Sequence, residues 1–150
     1  MDDILYMQEA LTLAKMAADE GEVPVGAVVV CDGEIVGRGR NRRESGKNAL
    51  AHAEIEAINE ACKTLGGWRL WKCDLYVTLE PCPMCTGAII NSRIRKLVYG
   101  ASDHKAGSCG SVVNLFDLPY NHKPEVISGV CEQECSEILT KFFKNLRNKK

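Results

Sequence analysis

A chain of 150 residues can bury a substantial core but is short for two domains of ordinary size, so we expect one domain over residues 1–150. Its 45% hydrophobic and 26% charged residues exclude a disordered or collagen-like chain. A membrane-spanning helix needs about 20 consecutive apolar residues, and no apolar run in this sequence is close to that length. The acidic start at Asp2 and Asp3 is unlike a basic secretory signal. We therefore expect a cytoplasmic protein that does not interact with membranes.

The basic residues are unevenly distributed, although 19 Lys and Arg almost balance 20 Asp and Glu. Residues 141–150 contain five bases and no acid, namely Lys141, Lys144, Arg147, Lys149 and Lys150. A second basic segment covers residues 38–47. Charge runs are usually solvated surface. Two of them on an otherwise acidic body are nevertheless compatible with a polyanionic partner.

Helical spacing of apolar residues across positions 7–18 predicts a first helix, with Asp2 or Asp3 as its cap and Gly21 as its end. The apolar run 25–31 predicts a strand. It is followed by an Asp-Gly turn and a second short strand, which together indicate a β-hairpin.

The rest of the chain alternates helices with strands. After a polar connection, one face of a second helix is predicted to carry Ile55, Ile58, Cys62 and Leu65. A strand, a helix, a short strand and an irregular segment are then predicted at residues 75–79, 81–90, 97–99 and 101–125. The last helix is predicted to place Cys135, Ile138, Phe142 and Leu146 on one face. This order predicts a three-layer α/β domain around a mixed sheet, with parallel neighbours across the helical crossovers.

Two motifs at predicted helix starts contain metal-binding residue types. One is His52-Ala53-Glu54, and the other is a Cys-x-x-Cys pair formed by Cys82 and Cys85. At a helix start this spacing turns both sulfurs toward one point, and the helix N-terminus favours thiolates. With the histidine they provide three zinc ligands, and no fourth ligand is evident nearby. Three protein ligands and an open position are typical of catalytic zinc.

Glu54 lies two residues after the histidine, close enough to face that open position without binding the metal. A carboxylate there can accept a proton from water that the metal acidifies and return it to a substrate. These groups suffice for hydrolytic deamination of an aromatic amidine-like carbon. The combination of H-x-E with P-C-x-x-C is a signature of zinc-dependent nucleobase deaminases.

With these motifs in place, the sequence resembles the bacterial tRNA-specific adenosine deaminases of the cytidine deaminase superfamily. The matching segments extend over nearly the whole chain, at residues 22–27, 39–42, 75–82, 99–103, 106–108 and 142–143. The resemblance implies a three-layer α/β/α cytidine-deaminase-like fold with a mixed sheet of about five strands. It also implies a homodimer with composite active sites, one Zn²⁺ per subunit, and conversion of the wobble adenosine of a tRNA anticodon stem-loop to inosine.

The same resemblance assigns further residues by position. Asn41 would hydrogen-bond the flipped-out base, and the backbone N–H of Ala53 would contact the purine ring. Asp103 and Lys105 would lie on the surface that contacts the anticodon loop, and Phe143 would pack near the loop nucleotides. Without the resemblance, Asn41 would be an ordinary turn residue, and Phe143 could equally belong to the core. The sequence departs from many relatives at residues 48–50, where it has Asn-Ala-Leu in place of Asp-Pro-Thr.

One alternative is a small-molecule deaminase that acts on free guanine, cytosine or a nucleoside. Such enzymes share the metal motif, so the motif does not discriminate. They need no phosphate-binding surface, and the basic terminal helix therefore favours the tRNA substrate.

A second alternative is an RNA-binding module in which zinc is purely structural. It would need a fourth ligand, for which the candidates are Cys109, Cys131, Cys135 and His104. It would also leave Glu54 without a role. We expect the remaining cysteines, such as Cys31 and Cys62, to be packing thiols and assign no second metal.

Overall fold

The computed structural model describes residues 2–148, which form four α-helices, five β-strands and one 3₁₀ turn. The helices are α1 (Asp3–Asp19), α2 (Ala53–Leu65), α3 (Pro83–Ser92) and α4 (Glu132–Asn148). The strands are β1 (Gly26–Cys31), β2 (Glu34–Arg40), β3 (Cys73–Leu79), β4 (Lys96–Ala101) and β5 (Glu125–Ser128). Across residues 2–148, every helix is too short or too polar to cross a lipid bilayer.

The strands form one mixed sheet in the order β2-β1-β3-β4-β5. β1 is antiparallel to both β2 and β3, while β3, β4 and β5 run parallel to one another. The predicted hairpin and the mixed sheet of five strands are therefore confirmed. The expectation of parallel neighbours across each helical crossover is wrong for α2, because β1 lies between the two strands that α2 connects.

The sheet separates two helical layers. Alternate residues of β1 point to opposite sides, as the pleat requires. Ala27 and Val29 belong to a core formed with α2 and α3, while Val28 and Val30 belong to a core formed with α1 and α4. The predicted three-layer α/β/α fold is confirmed.

Helix α2 buries a different face from the predicted one. Its buried residues are Ala53, Glu54, Ala57, Ile58 and Ala61. Of the four residues predicted to share the apolar face, only the isoleucine at position 58 is buried, and the leucine at position 65 is exposed.

The reason is the close approach of α2 to strand β2. A Cβ atom on Gly37 would lie 2.1 Å from the carbonyl oxygen of Ala57, and one on Gly39 would lie 2.1 Å from that of Ala53. Both glycines therefore have to lack side chains for the helix to lie where it does. At this separation the contacting face of the helix is made of alanines, and its larger residues lie to either side.

The structure bears on three other expectations: a predicted cap of α1 is in place, the irregular segment needs a correction, and the predicted face of α4 is only partly buried. Asp2 occupies the N-cap position of α1 without a side-chain capping bond, while Asp3 accepts a hydrogen bond from the Tyr76 hydroxyl at 2.6 Å. The segment expected to be irregular ends in the first residue of β5, an edge strand with three exposed residues out of four. In α4 only Cys135 is buried, and Leu146 is exposed. The basic residues Lys149 and Lys150 lie outside the described residues.

Candidate active site

The two predicted metal motifs meet at the edge of the sheet where β2 and β3 end. His52 is the N-cap residue of α2, and Cys82 is the N-cap residue of α3, both with extended backbone. The Nδ1 atom of His52 lies 3.6 Å from Sγ of Cys82 and 3.5 Å from Sγ of Cys85. Pro83 fits the first turn of α3 because its missing N–H would have no helical partner there. The ligand atoms of all three residues lie within 4.8 Å of one another.

This donor set fits zinc, since two thiols and one imidazole are the ligands that the ion prefers at tetrahedral sites. Within residues 2–148 no other group of three His, Cys, Asp or Glu side chains is arranged in this way. The candidates for a fourth ligand are not part of the cluster. Cys109 contacts the Thr86 hydroxyl at 3.3 Å, Cys135 is buried on the opposite side of the sheet, and Cys131 packs at the margin of that core. The described residues thus supply three ligands, as at catalytic zinc sites.

The two thiols differ strongly in acidity. A hydrogen bond from Cys85 lowers the pKa of Cys82 to about 4, with a further contribution from His52. The same hydrogen bond, together with burial, raises the pKa of Cys85. Without a metal the proton of the pair therefore resides on Cys85, and binding of zinc would require both cysteines as thiolates.

Glu54 lies in the first turn of α2 and is only 4% exposed. Burial raises the pKa of its carboxyl group to about 7, although its own backbone N–H and the nearby imidazole of His52 lower it in part. A carboxyl group with a pKa close to neutral can both accept and donate a proton at physiological pH. This is the property that a proton shuttle requires.

A cavity of about 530 Å³ opens above this cluster. We call its base the floor, formed by His52, Ala53, Glu54 and Cys82, with Cys85 buried beneath. We call its upper wall the rim, to which the structure brings Asn41, Asp103, Lys105 and Phe143. All the residues that the sequence predicted for the zinc site and the substrate, except Cys85, thus line one cavity.

Asn41 is the rim residue closest in sequence to β2, and it is 7% exposed. Its Nδ2 donates to the carbonyl oxygen of Val23 at 3.2 Å, and its Oδ1 accepts from the backbone N–H of Arg43 at 3.2 Å. A side-chain amide has two donor hydrogens and two acceptor lone pairs. The side chain is therefore held in one orientation with one donor and one acceptor left for a ligand.

The other rim residues are more exposed. Asp103 accepts hydrogen bonds from the backbone N–H groups of Lys105 and Ala106, so its carboxylate shapes its own turn while Lys105 extends into solvent. Phe143 is 41% exposed and packs edge-on against Phe142, with the ring centroids 5.5 Å apart. The expectation that Phe143 could be a core residue is wrong.

The cavity lining also includes Arg43, Glu80 and His104, which were not predicted to belong to the site of a tRNA deaminase, and His104, a candidate fourth ligand, lies outside the ligand cluster. The sequence contained an indication of a binding role for Arg43, since this residue belongs to the basic segment 38–47. Glu80 stands directly before the Pro-Cys motif at the end of a buried strand, where an acidic residue is unusual.

The other free cysteines behave as packing thiols. All eight cysteines lie within residues 2–148 and none forms a disulfide there. Burial raises the pKa of Cys73, Cys109 and Cys135 to about 12, which keeps these thiols protonated.

Comparison with known proteins gives the family. The family model described as MafB19-like deaminase matches residues 1–147. Over 99% of its length the chain is 54% identical to the tRNA-specific adenosine deaminase of Bacillus subtilis strain 168, of which it covers 92%. The chain belongs to the tRNA-specific adenosine deaminase family. The resemblance inferred from the sequence is confirmed.

Two solved structures extend this result. One comes from work on A-to-I editing by tRNA:A34 deaminases at the wobble position of transfer RNA. It is 49% identical to this chain, with a TM-score of 0.87, and covers 89% of this chain and 98% of its own. The other is a guanine deaminase from Nitrosomonas europaea, with 25% identity and a TM-score of 0.75 over 93% of this chain and 83% of its own. The fold is thus shared with deaminases of small molecules, while the higher sequence identity is to tRNA enzymes.

Proposed function

We propose that this protein is a zinc-dependent hydrolase that deaminates the wobble adenosine of a tRNA anticodon loop to inosine. The observation that carries the proposal is the 54% identity to a tRNA-specific adenosine deaminase over almost the whole chain. Identity to the guanine deaminase is 25%. We infer that residues 1–150 act as one zinc-dependent deaminase domain, because both cores are built on the same sheet.

The residues that would hold zinc are His52, Cys82 and Cys85, whose ligand atoms already face one another. Zinc bound there would act as a Lewis acid and lower the pKa of water toward neutral. Glu54 accepts a proton from water and delivers protons to N1 of adenine and to the departing amino group. Adenine C6 thereby gains the oxygen of water and loses ammonia.

The base would be held between Asn41 and the start of α2. The free donor and acceptor of Asn41 match a purine edge, which also presents one of each. The backbone N–H of Ala53 belongs to the first turn of α2, where N–H groups have no partner within the helix. It is therefore available to a ring nitrogen.

The rim supplies groups suited to the flanking nucleotides. Unpaired loop bases are extruded at lower cost than paired ones, and their exposed faces stack on aromatic side chains. Phe143 offers such a face, while Lys105, Arg43 and the basic end of α4 can neutralise phosphates. Asp103 would orient Lys105 through the turn that it shapes.

We further infer a homodimer that acts in the cytoplasm with one zinc per subunit. Family membership supports this inference. Analytical ultracentrifugation combined with metal analysis measures both the subunit number and the zinc content. A dimer with two zinc ions is the expected result, and a monomer would contradict it.

The decisive experiment is a deamination assay with several substrates side by side. The zinc-loaded protein is given an anticodon stem-loop with adenosine at the wobble position and, separately, free adenosine, cytidine and guanine. We expect inosine in the stem-loop alone. Ammonia from a free base or nucleoside, with the stem-loop unchanged, would instead establish the small-molecule alternative that the shared fold leaves open.

A further inference from the structure

Glu80, the residue after β3, is a buried carboxylate that the proposed mechanism does not use. Its side chain is 2% exposed. Oε1 accepts a hydrogen bond from the backbone N–H of Asp103 at 3.0 Å, and Oε2 accepts from those of Cys109 and Ser111, each at 3.0 Å. The Ser111 hydroxyl donates to Oε1 as well. All four donors belong to one segment, residues 102–111, which we call the 102–111 loop.

This loop is built around the carboxylate. Gly107 passes so close that a Cβ atom on it would lie 2.4 Å from Cδ of Glu80. The loop has little regular secondary structure, and its backbone is also bound to the segment that begins with Glu80, since the Ser108 N–H donates to the carbonyl oxygen of Pro81 at 2.9 Å. Its C-terminal part has further contacts, with Thr86 through Cys109 and with residues 112–115, so Glu80 is the main described contact of the part that begins at Asp103. A buried carboxylate with four donors is fully compensated for its loss of water.

The same loop contributes to the rim of the cavity through Asp103, His104 and Lys105. Glu80 is also only two residues from Cys82 on the floor. The short segment 80–82 therefore contributes to both parts of the site, and the position of Asp103 and Lys105 relative to the metal cluster depends in part on the contacts of the Glu80 side chain.

We propose that Glu80 is a positioning residue, which holds the 102–111 loop so that Asp103 and Lys105 face the bound anticodon loop. The proposal rests on the proposed function for the identity of the ligand. Glu80 takes no part in proton transfer, because both of its oxygens are occupied by donors from the loop. It differs in this respect from Glu54, which lies beside the metal cluster.

The first test is hydrogen exchange of the zinc-loaded, full-length Glu80→Gln variant. Glutamine keeps the size of the side chain but turns an NH₂ group toward N–H donors. Exchange in peptides covering residues 103–111 should accelerate by about tenfold, as expected for the loss of a hydrogen bond to a charged acceptor. Zinc content and exchange in α2 should be unchanged.

Glu22→Gln is the matched control. Glu22 is also a buried carboxylate, and it accepts backbone hydrogen bonds from Glu44 and Ser45 in a different loop. Its substitution should accelerate exchange around residues 44–45 and leave residues 103–111 unaffected. Ser111→Ala removes one of the four contacts of Glu80 and should give a smaller change in the same direction, even if Glu80→Gln fails to fold.

The second test is kinetic. For a stem-loop substrate, Glu80→Gln should raise KM by about tenfold and change kcat by no more than about threefold, because the substitution disturbs binding rather than chemistry. Glu80→Asp, which keeps the charge, should restore part of the loss.

Three results would overturn the proposal. A fall in kcat with unchanged KM and unchanged exchange would place Glu80 in the chemistry. Faster exchange throughout the chain, or loss of zinc, in both Glu80→Gln and Ser111→Ala would show a general structural role. Unchanged exchange at residues 103–111 would show that the carboxylate does not hold the loop. If the wild-type enzyme leaves the stem-loop unmodified, the proposed function fails, and hydrogen exchange still decides whether Glu80 fixes this loop.

Discussion

The floor and the rim of the cavity are held together in different ways. The floor consists of side chains from the first turns of α2 and α3. Within each motif the residues are two or three positions apart, and the fold brings the two motifs together across about 30 residues of sequence. The rim consists of loops and one side of α4, and buried carboxylates fix its loops through backbone N–H groups more than 20 residues away in sequence. Short-range spacing thus sets which side chains each motif presents, and long-range hydrogen bonds hold the loops around them.

Three buried glutamates illustrate this difference. Burial raises the pKa of Glu54 to about 7. Burial also acts against ionisation of Glu22 and Glu80, but hydrogen bonds from backbone N–H groups and serine hydroxyls outweigh it and hold the pKa of each below the ordinary value. The number of donors decides whether a buried carboxyl group can exchange a proton or serves as a permanent anion.

The largest expected effect is that of His52→Ala on the floor. The variant should lose zinc and, with it, measurable deamination, and it should unfold at a lower temperature because metal binding contributes to folding. Metal analysis and thermal unfolding measure these changes. His104→Ala is the control, since His104 lines the same cavity outside the ligand cluster and should retain zinc. Full zinc occupancy in His52→Ala would remove His52 from the ligand set.

The next effect separates chemistry from metal binding within the floor. Glu54→Ala should keep the fold and the zinc but lower kcat by about two to four orders of magnitude, the usual contribution of a general acid–base group. Single-turnover kinetics on the stem-loop measures this loss. A rate close to that of the unaltered protein would refute the assignment of Glu54 as proton shuttle.

Substitutions in the rim should change the affinity for the stem-loop rather than the zinc content. Phe143→Ala should weaken stem-loop binding by about tenfold, within the range for loss of one aromatic–base stack, with unchanged zinc content. Phe142→Ala is a close control, because this neighbouring ring faces the groove between α1 and α4. It should lower stability while leaving RNA affinity unaltered. Equal losses of affinity in both variants would show that Phe143 acts only by packing.

The smallest expected effect is on the pH dependence of the free energy of unfolding, through the buried carboxylate of Glu22. Because the pKa of Glu22 is lowered in the folded state, its contribution to stability is present above its ordinary value of about 4.5 and disappears as pH falls through the folded-state pKa. Glu22→Gln should therefore be less stable than the unaltered protein near neutral pH, with a smaller difference at acid pH. Urea unfolding at a series of pH values measures this, and a difference that does not depend on pH would contradict it.

The contrast between floor and rim also explains what the sequence could predict. The cluster of Cys82, Cys85 and His52 could be predicted, because the spacing within each motif and the chemistry of the side chains are local properties. The hydrogen bonds of Glu80, on which its proposed role rests, could not be predicted, since nothing in the sequence links an acid at position 80 to N–H donors 23 to 31 residues later. Strand β5 was missed because an exposed edge strand has no alternating apolar pattern.

The buried face of α2 was also predicted incorrectly. Periodicity gives weight to large apolar residues, whereas here the decisive positions are Gly37 and Gly39 on the facing strand. The buried face of a helix depends on how closely the helix can approach the neighbouring strand. That distance is set by the residues of both segments, so the sequence of the helix alone does not predict it.

The close approach of α2 to strand β2 limits which mutations the protein can tolerate. Gly39 lies against the backbone of Ala53, which stands between the proposed metal ligand His52 and the proposed proton shuttle Glu54, yet Gly39 is not among the residues that line the cavity. Any side chain added there would push the first turn of α2 away from the sheet and carry an imidazole and a carboxylate with it, while α3 kept the two sulfurs in place. The alignment of the proposed catalytic groups is therefore sensitive to mutation at a glycine that does not itself line the cavity.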